Sequence, residues 1–377
     1  MGLVRVNVLV LVAATGALAP SALAAPPPVA ARAYVVENAS TGEVLVRKAD
    51  RERLPIASLT KLMTVEVALR HVRPSTLVTV YPGAAAVGES TADLVPGEQL
   101  TVRDLLKAAL IQSANDAAAA LAYGVGRGDE SAFVAMMNAR ARALGLRDTH
   151  FERPDGLDVA DHYSSARDVT RLAEVVMHAP IVRSIVRERT DTIAGGRVLH
   201  TWNDLLGTFP GLIGVKTGHT AAAGWCEVGA ARGPGLTIYA TVLGSPTRAQ
   251  RNRDLAALLE WGLDRYRVVP VVQARRVYAT AKVGYGRAGL ALVASRPLAR
   301  AVRVDRPLVE RVVAPVTVVL PVQRGERLGS VRIFAGRRLV GSRPLVAARS
   351  IARPGFGGRF GWYAKRTAHH LWGFVAG

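Results

Sequence analysis

Residues 55–71 read PIASLTKLMTVEVALRH. This is an apolar segment of helical length, and it carries Ser58 and, three residues on, Lys61. On a helix that spacing puts both side chains on one face, within hydrogen-bond reach. A serine hydroxyl is a weak nucleophile at neutral pH and needs a base. The flanking Leu59, Leu62, Met63 and Val65 are apolar, so the ammonium is expected to be poorly solvated. Desolvation lowers a lysine pKa and makes the neutral amine available as that base. The start of such a helix also offers free backbone N–H groups beside the serine, suited to an oxyanion. A Ser-x-x-Lys tetrad alone is a common coincidence, so its meaning rests on what accompanies it.

Two further segments accompany it in order. Ser113-Ala-Asn115 falls at a break between two helices expected across residues 101–122. There Ser113 is suited to pass a proton, and Asn115 to hold a substrate amide and orient Lys61. Asp116 is a candidate cap for the Ala-rich helix that follows. Lys216-Thr-Gly218, continuing as His219-Thr220, follows an expected strand over 211–215. The glycine lets a substrate backbone approach closely, and Lys216 brings positive charge for proton transfer and for a carboxylate. The ordered set S-x-x-K, S-x-N, K-T-G belongs to active-site serine acyl-transferases.

With these motifs and with Ser113–Ala117, Asp155-Gly-Leu157, Ser165–Asp168, Asn203, Ala223-Gly224 and Leu258–Gly262, the chain resembles the D-alanyl-D-alanine carboxypeptidases, the serine-type, S11-like class of low-molecular-mass penicillin-binding proteins. The resemblance covers nearly the whole mature chain. It implies an α/β (α+β) β-lactamase/transpeptidase-like domain, an antiparallel sheet joined to a helical lobe, followed by a small all-β domain. It implies Ser58 as the nucleophile and Lys61 as general base. Ser113 and Lys216 would relay the proton, and Asn115 would hold the substrate. The backbone N–H groups of Ser58 and His219 would form the oxyanion hole. Thr217, beside Gly218, and an arginine before the closing helix would hold the terminal carboxylate. That arginine is Arg251 by its spacing to Trp261-Gly262, with Arg248 second. The implied partners are peptidoglycan stem peptides and β-lactams, with no cofactor and no metal. Two positions depart from the family pattern: Asp155, where many relatives have His, and Asn252, where an aromatic is usual. A D,D-endopeptidase would use the same residues. A β-lactamase would need a carboxylate to position water, for which Glu152, Asp155 and Asp158 are the nearby acids. A non-catalytic wall-binding protein would predict loss of the nucleophile or a lysine, and all are present.

The rest of the chain sets the organisation. Arg5, the apolar run 8–18 and Ala22-Leu-Ala24 read as an export signal over 1–24, with cleavage before Ala25. The catalytic domain is expected over 25–268. It begins with a hairpin (33–36 and 43–48) and has helices over 55–71, 101–122, 130–144 and 164–178. Strands over 211–215, 223–231 and 236–243 follow, then a helix over 250–266. Short Val-rich runs between Gly and Pro mark the all-β domain over 272–348, with strands at 276–281, 290–294, 299–304, 316–319, 331–334 and 339–340. The tail, 349–377, holds five basic residues and six aromatics and no acid. It reads as a basic amphipathic anchor for an anionic membrane surface, with a helix over 359–374. From Arg265 onward there are 22 Lys and Arg against three acids, so nearly all of the net +20 lies in the C-terminal third. An exported chain meets no chromosome, so anionic lipid headgroups or anionic wall polymers fit that charge better than nucleic acid. Location at the outer, periplasmic face of the cytoplasmic membrane follows. Cys226 is the single cysteine. It has no partner for an internal disulfide and sits in an apolar segment, so a buried, inert thiol is expected.

Overall fold

The computed structural model describes residues 11–14 and 25–375. The chain divides into two compact units, one over 24–264 and the other built mainly from residues 265–375.

The first unit is a five-stranded sheet with a helical lobe. Its strands are β1 (Ala33–Asn38), β2 (Glu43–Lys48), β3 (Leu212–Thr220), β4 (Gly224–Gly233) and β5 (Leu236–Ser245). They run β2-β1-β5-β4-β3, antiparallel throughout, which makes β3 an edge strand. The lobe contains α1 (Lys61–His71), α2 (Val102–Lys107), α3 (Asn115–Val125), α4 (Glu130–Leu144) and α5 (Ala166–Val176). The closing helix, α6 (Arg248–Asp264), packs on β4 and β5. One core joins them: Leu59, Leu62 and Met63 from the catalytic segment, Leu105 and Leu106 from α2, Leu121 from α3 and Phe133 from α4 are all fully buried. Removing a side chain of that size from such a core costs about 2–5 kcal/mol. The β3–β4 and β4–β5 pairings place the K-T-G segment in register opposite 226–228.

Several local expectations shift by physical causes. The segment over 55–71 is not one helix. Ala57–Thr60 forms a 3₁₀ turn that leads into α1 at Lys61. The lysine therefore begins the α-helix and the serine precedes it. The K-T-G residues lie inside β3 and do not follow it. Ser165 caps α5, its hydroxyl accepting from the Asp168 N–H. Asp116 does not act as a simple helix cap. Its buried carboxylate accepts from the N–H groups of Ala92, Leu94 and Ala117, tying the 92–94 loop to α3. The helix expected to run to Tyr266 stops at Asp264, and a strand starts at Tyr266. The hairpins Leu77–Thr79 with Gln99–Thr101 and Thr190–Ile193 with Arg197–His200 had no legible alternation.

The second unit is all β. One sheet orders the strands Leu308–Val313, Arg327–Ala335, Arg338–Ala347, Leu290–Ala294 and Val277–Val283, and Tyr266–Val272 pairs separately with Leu298–Arg303. Its core includes Val272, Leu290, Leu292, Val331 and Leu345. The packing passes Ala348 and ends at Ile351, which is buried and exchanges backbone hydrogen bonds with Val322. The region read as an export signal lies outside the described residues except for Leu11–Ala14, a short strand antiparallel to Leu308–Val313. A helix spans Phe356–Val375. Phe356, Phe360 and Tyr363 are exposed on it, and Trp362 meets Tyr285 edge-on at 5.5 Å. Among the described residues no helix is long and apolar enough to cross a membrane.

Gly156 links fold and site. Its φ is +87°, and a Cβ there would lie 2.1 Å from the Ala57 carbonyl oxygen and 2.7 Å from Thr60 Oγ1. Gly156→Ala is therefore expected to displace the turn that carries Ser58 and to cost about 2 kcal/mol or more. A lowered Tm together with slowed active-site acylation would bear this out, and an unchanged melt and rate would refute the close approach.

Candidate active site

The 3₁₀ turn, α1, the break before α3, the loop 152–158 and strand β3 meet at one cleft. Ser58 is half-buried and Lys61 fully buried. Lys61 Nζ lies 2.8 Å from Ser58 Oγ, 2.7 Å from Asn115 Oδ1 and 2.8 Å from the Asp155 carbonyl oxygen. An ammonium has three N–H donors, so these contacts satisfy all of them. Asn115 is itself fixed, its side-chain N–H donating to the Gly88 carbonyl. Burial pushes the Lys61 pKa down to about 8, against the opposing pull of Asp155, Asp116 and Glu89.

Ser113 stands at the break in a left-handed conformation, φ +65°. A non-glycine residue there is uncommon and costs about 1 kcal/mol or more. That geometry turns its hydroxyl to Lys216, whose Nζ donates to Ser113 Oγ at 2.8 Å and to the Thr217 carbonyl at 2.8 Å. Lys216 is buried, and burial followed by the nearby Lys61 charge drives its pKa well below the usual lysine range. Gly218 lies against the serine turn: a Cβ there would sit 3.0 Å from both Ile56 O and Ser58 N.

A cavity of about 220 Å³ is lined by Ser58, Ser113, Asn115, Thr217, Gly218, His219 and Arg251, with Glu89, Trp202 and Trp225 also on its walls. The His219 and Trp225 rings stack at 4.0 Å. Arg251, rather than Arg248, reaches this cavity. Arg248 instead pairs with Asp204, its Nε donating at 2.7 Å, and lies over the Trp202 ring. The departures are accommodated. Asp155 is buried and forms a two-pronged pair with Arg153 at 2.7 and 2.8 Å. Burial raises its pKa, but the Arg153 hydrogen bonds and the Lys61 charge outweigh that and hold it below the usual carboxylate range. Asn252 accepts from Arg251 at 2.6 Å and donates to Asp204 at 2.8 Å. Asp158 is committed to Thr220 and the Ala222 N–H. Cys226 is buried, and burial pushes its thiol up to about 12, so it stays protonated and inert.

Two residues of this site escaped the sequence reading. His162 is buried behind the turn. Its Nδ1 accepts from the Glu152 N–H, so Nε2 carries the proton and donates to Thr60 Oγ1 at 2.8 Å. Burial lowers its pKa to about 4, which keeps it neutral. Glu227 is fully buried beside Arg251. The available signal was an acid inside the otherwise apolar run of β4. Among the described residues no His, Cys, Asp and Glu cluster is arranged to hold a metal ion.

A sheet-and-helix fold with a serine and two buried lysines facing one cleft defines a serine acyl-transferase of the S-x-x-K, S-x-N, K-T-G type. Comparison with known proteins narrows this. The family model for D-alanyl-D-alanine carboxypeptidase, Peptidase S11, matches residues 21–247. DacC of Escherichia coli, a D-alanyl-D-alanine carboxypeptidase, is 31% identical over 377 residues, spanning 94% of this chain and 93% of its own. DacF of Bacillus subtilis is 29% identical, spanning 86% of this chain and 87% of its own. Among solved structures, penicillin binding protein 5 of Haemophilus influenzae superposes with a TM-score of 0.65 at 26% identity, covering 88% of this chain and all of its own. A Streptomyces DD-transpeptidase superposes at 0.61 with 32% identity over 64% of this chain. The chain belongs to the D-alanyl-D-alanine carboxypeptidase family of serine peptidases.

If neutral Lys61 is the base, its depressed pKa shapes the pH profile. Below about pH 8 the amine is increasingly protonated, so kcat/KM for an acyl donor should fall about tenfold per unit of pH there and level off above it. Lys61→Arg, which keeps its charge at every accessible pH, should be inactive and lack this limb. A full-rate plateau extending unchanged to pH 6 would exclude Lys61 as the titrating base.

Proposed function

We propose that this protein is a serine D-Ala-D-Ala carboxypeptidase that removes the terminal D-alanine from peptidoglycan pentapeptide stems through an acyl-enzyme on Ser58, and that penicillin acylates the same serine. The observation that carries this reading is the 2.8 Å contact between Ser58 Oγ and the buried Lys61 Nζ. Neutral Lys61 takes the hydroxyl proton as Ser58 attacks the penultimate D-Ala carbonyl. The developing oxyanion is met by the backbone N–H groups of Ser58 and His219, the kind of fixed donor pair that stabilises such charge. Ser113 and Lys216 relay that proton to the leaving amine, a route supported by their 2.8 Å contact. The terminal D-Ala leaves, and water hydrolyses the ester to regenerate Ser58. The substrate backbone lies along β3, whose edge position leaves main-chain groups unpaired for an added strand. Asn115 holds the acyl-side amide. Thr217 and Arg251 take the terminal carboxylate, for which a fixed guanidinium is the best side chain.

An export signal over 1–24 would bring the enzyme to the outer face of the cytoplasmic membrane. The tail would then hold it there. Support comes from the exposed Phe356, Phe360 and Tyr363 and from five basic residues without an acid. Insertion of aromatics with attraction to anionic lipid gives peripheral binding.

Release of D-alanine from diacetyl-Lys-D-Ala-D-Ala should be measurable for wild type and abolished in Ser58→Ala, which should also lose labelling by fluorescent penicillin. Label retained in that variant would refute the nucleophile. No release from wild type with labelling intact would favour D,D-endopeptidase activity on cross-links. A chain ending at Pro354, which keeps Ile351 in the β core, should stay active yet leave the membrane fraction. Continued pelleting in moderate salt would move the attachment to the β unit.

A further inference from the structure

Behind Arg251 lies a carboxylate that the reaction above does not use. Glu227 sits on β4 in register with Thr217 of β3, and residues directly opposite in an antiparallel pair share a face. Glu227 is 0% and Arg251 1% exposed, and the Glu227 Oε2–Arg251 Nε separation is 2.9 Å. Despite that contact neither Glu227 oxygen has a well-formed hydrogen bond. The Nε hydrogen bond goes instead to Asn252 Oδ1 at 3.0 Å, and Nη2 turns to Asn252 and Asp204. Buried carboxylates without hydrogen bonds are rare and call for a reason. Glu227 is held by charge alone, one residue deep behind the wall of the substrate cavity.

Resting on the reading of Arg251 as the anchor for the terminal carboxylate, we propose that Glu227 is a positioning residue acting through Arg251, its charge setting the strength of that anchor. Anionic Glu227 neutralises the guanidinium from behind and weakens its pull on an incoming carboxylate. Protonated Glu227 leaves the full charge to the substrate. The groups facing it are Lys216 from β3, Arg248 and Arg251 from α6, Asp204 from the 201–211 loop and Val242 on β5. Burial raises its pKa to about 7 against the opposing charge of Arg251. Below that pH it is neutral and the anchor strong. Above it the anchor weakens. Affinity for a free C-terminal carboxylate therefore falls as pH rises through neutrality, while affinity for the corresponding amide does not.

The test measures equilibrium binding by calorimetry in the full chain carrying Ser58→Ala, which blocks turnover. The ligands are diacetyl-Lys-D-Ala-D-Ala and its C-terminal amide, at pH 5.5 and 7.5, below most of the Lys61 titration. With Glu227 about three-quarters ionised at pH 7.5, the acid peptide should bind about two- to fourfold more weakly there than at pH 5.5, and the amide equally at both. Adding Glu227→Gln should remove the difference and tighten acid binding at pH 7.5. Glu227→Leu serves the same purpose if the glutamine variant does not fold. A slope that persists in the neutral variants belongs to Lys216 and overturns the proposal, as does an equal slope for acid and amide. Arg251→Leu tests the underlying reading separately. If it leaves the acid peptide's advantage over the amide intact, Arg251 is not the anchor. If it abolishes that advantage while Glu227→Gln keeps the pH slope, only the role of Glu227 fails.

Discussion

The complete burial of the Lys61 ammonium is the constraint on which the rest of the structure depends. A cation removed from water must have its donors met and opposite charge nearby, or it loses its proton. Here the three acceptors come from three separate segments: Ser58 from the 3₁₀ turn, Asn115 from the start of α3, and the Asp155 carbonyl from the 152–158 loop. Each segment has its own tether. His162 braces the turn through Thr60, Asp116 ties α3 to the 92–94 loop, and Arg153 clamps Asp155. Satisfying one lysine therefore draws the helical lobe together, and the same burial that demands those partners makes the amine a usable base.

The sheet supplies the second lysine under the same rule. Lys216 is buried on β3, two residues before the glycine that meets the serine turn, and burial together with the Lys61 charge lowers its proton affinity. Two buried amines face one cleft, each donating to hydroxyl and carbonyl oxygens: Lys61 to Ser58 and the Asp155 carbonyl, Lys216 to Ser113 and the Thr217 carbonyl. The outer end of the cleft balances charge differently. Arg251 pairs with Asp204 and Glu227, Arg248 with Asp204, and Asn252 bridges Arg251 to Asp204. This yields a graded arrangement: a desolvated centre at Ser58 and Lys61 and a charge-compensated guanidinium at Arg251.

Asp155 and Asn252, the two positions that the resemblance marks as departures, are both held by local partners. Asp155 brings a negative charge close to Lys61, and Arg153 offsets it. Asn252 bridges Arg251 to Asp204.

The order and spacing of the three motifs that the structure brings to one cleft were legible in the chain itself. Ser58 three residues before Lys61, Ser113 two before Asn115, and Lys216 directly before Thr217-Gly218 are local spacings, and local spacing is what sequence periodicity encodes. The sheet, the lobe and the Val-rich second unit followed from the same patterns. What the chain could not display was contact across distance. That Arg251 and not Arg248 faces the cavity depends on which turn of α6 meets the end of β4. That Asp116 ties a loop instead of capping a helix depends on where residues 92–94 return. That Glu227 stands behind the anchor depends on the β3–β4 register. Side-chain type and spacing determined the chemistry available. Only tertiary packing, which decides what is excluded from water and what lies next to it, determined which of those groups carry an altered charge.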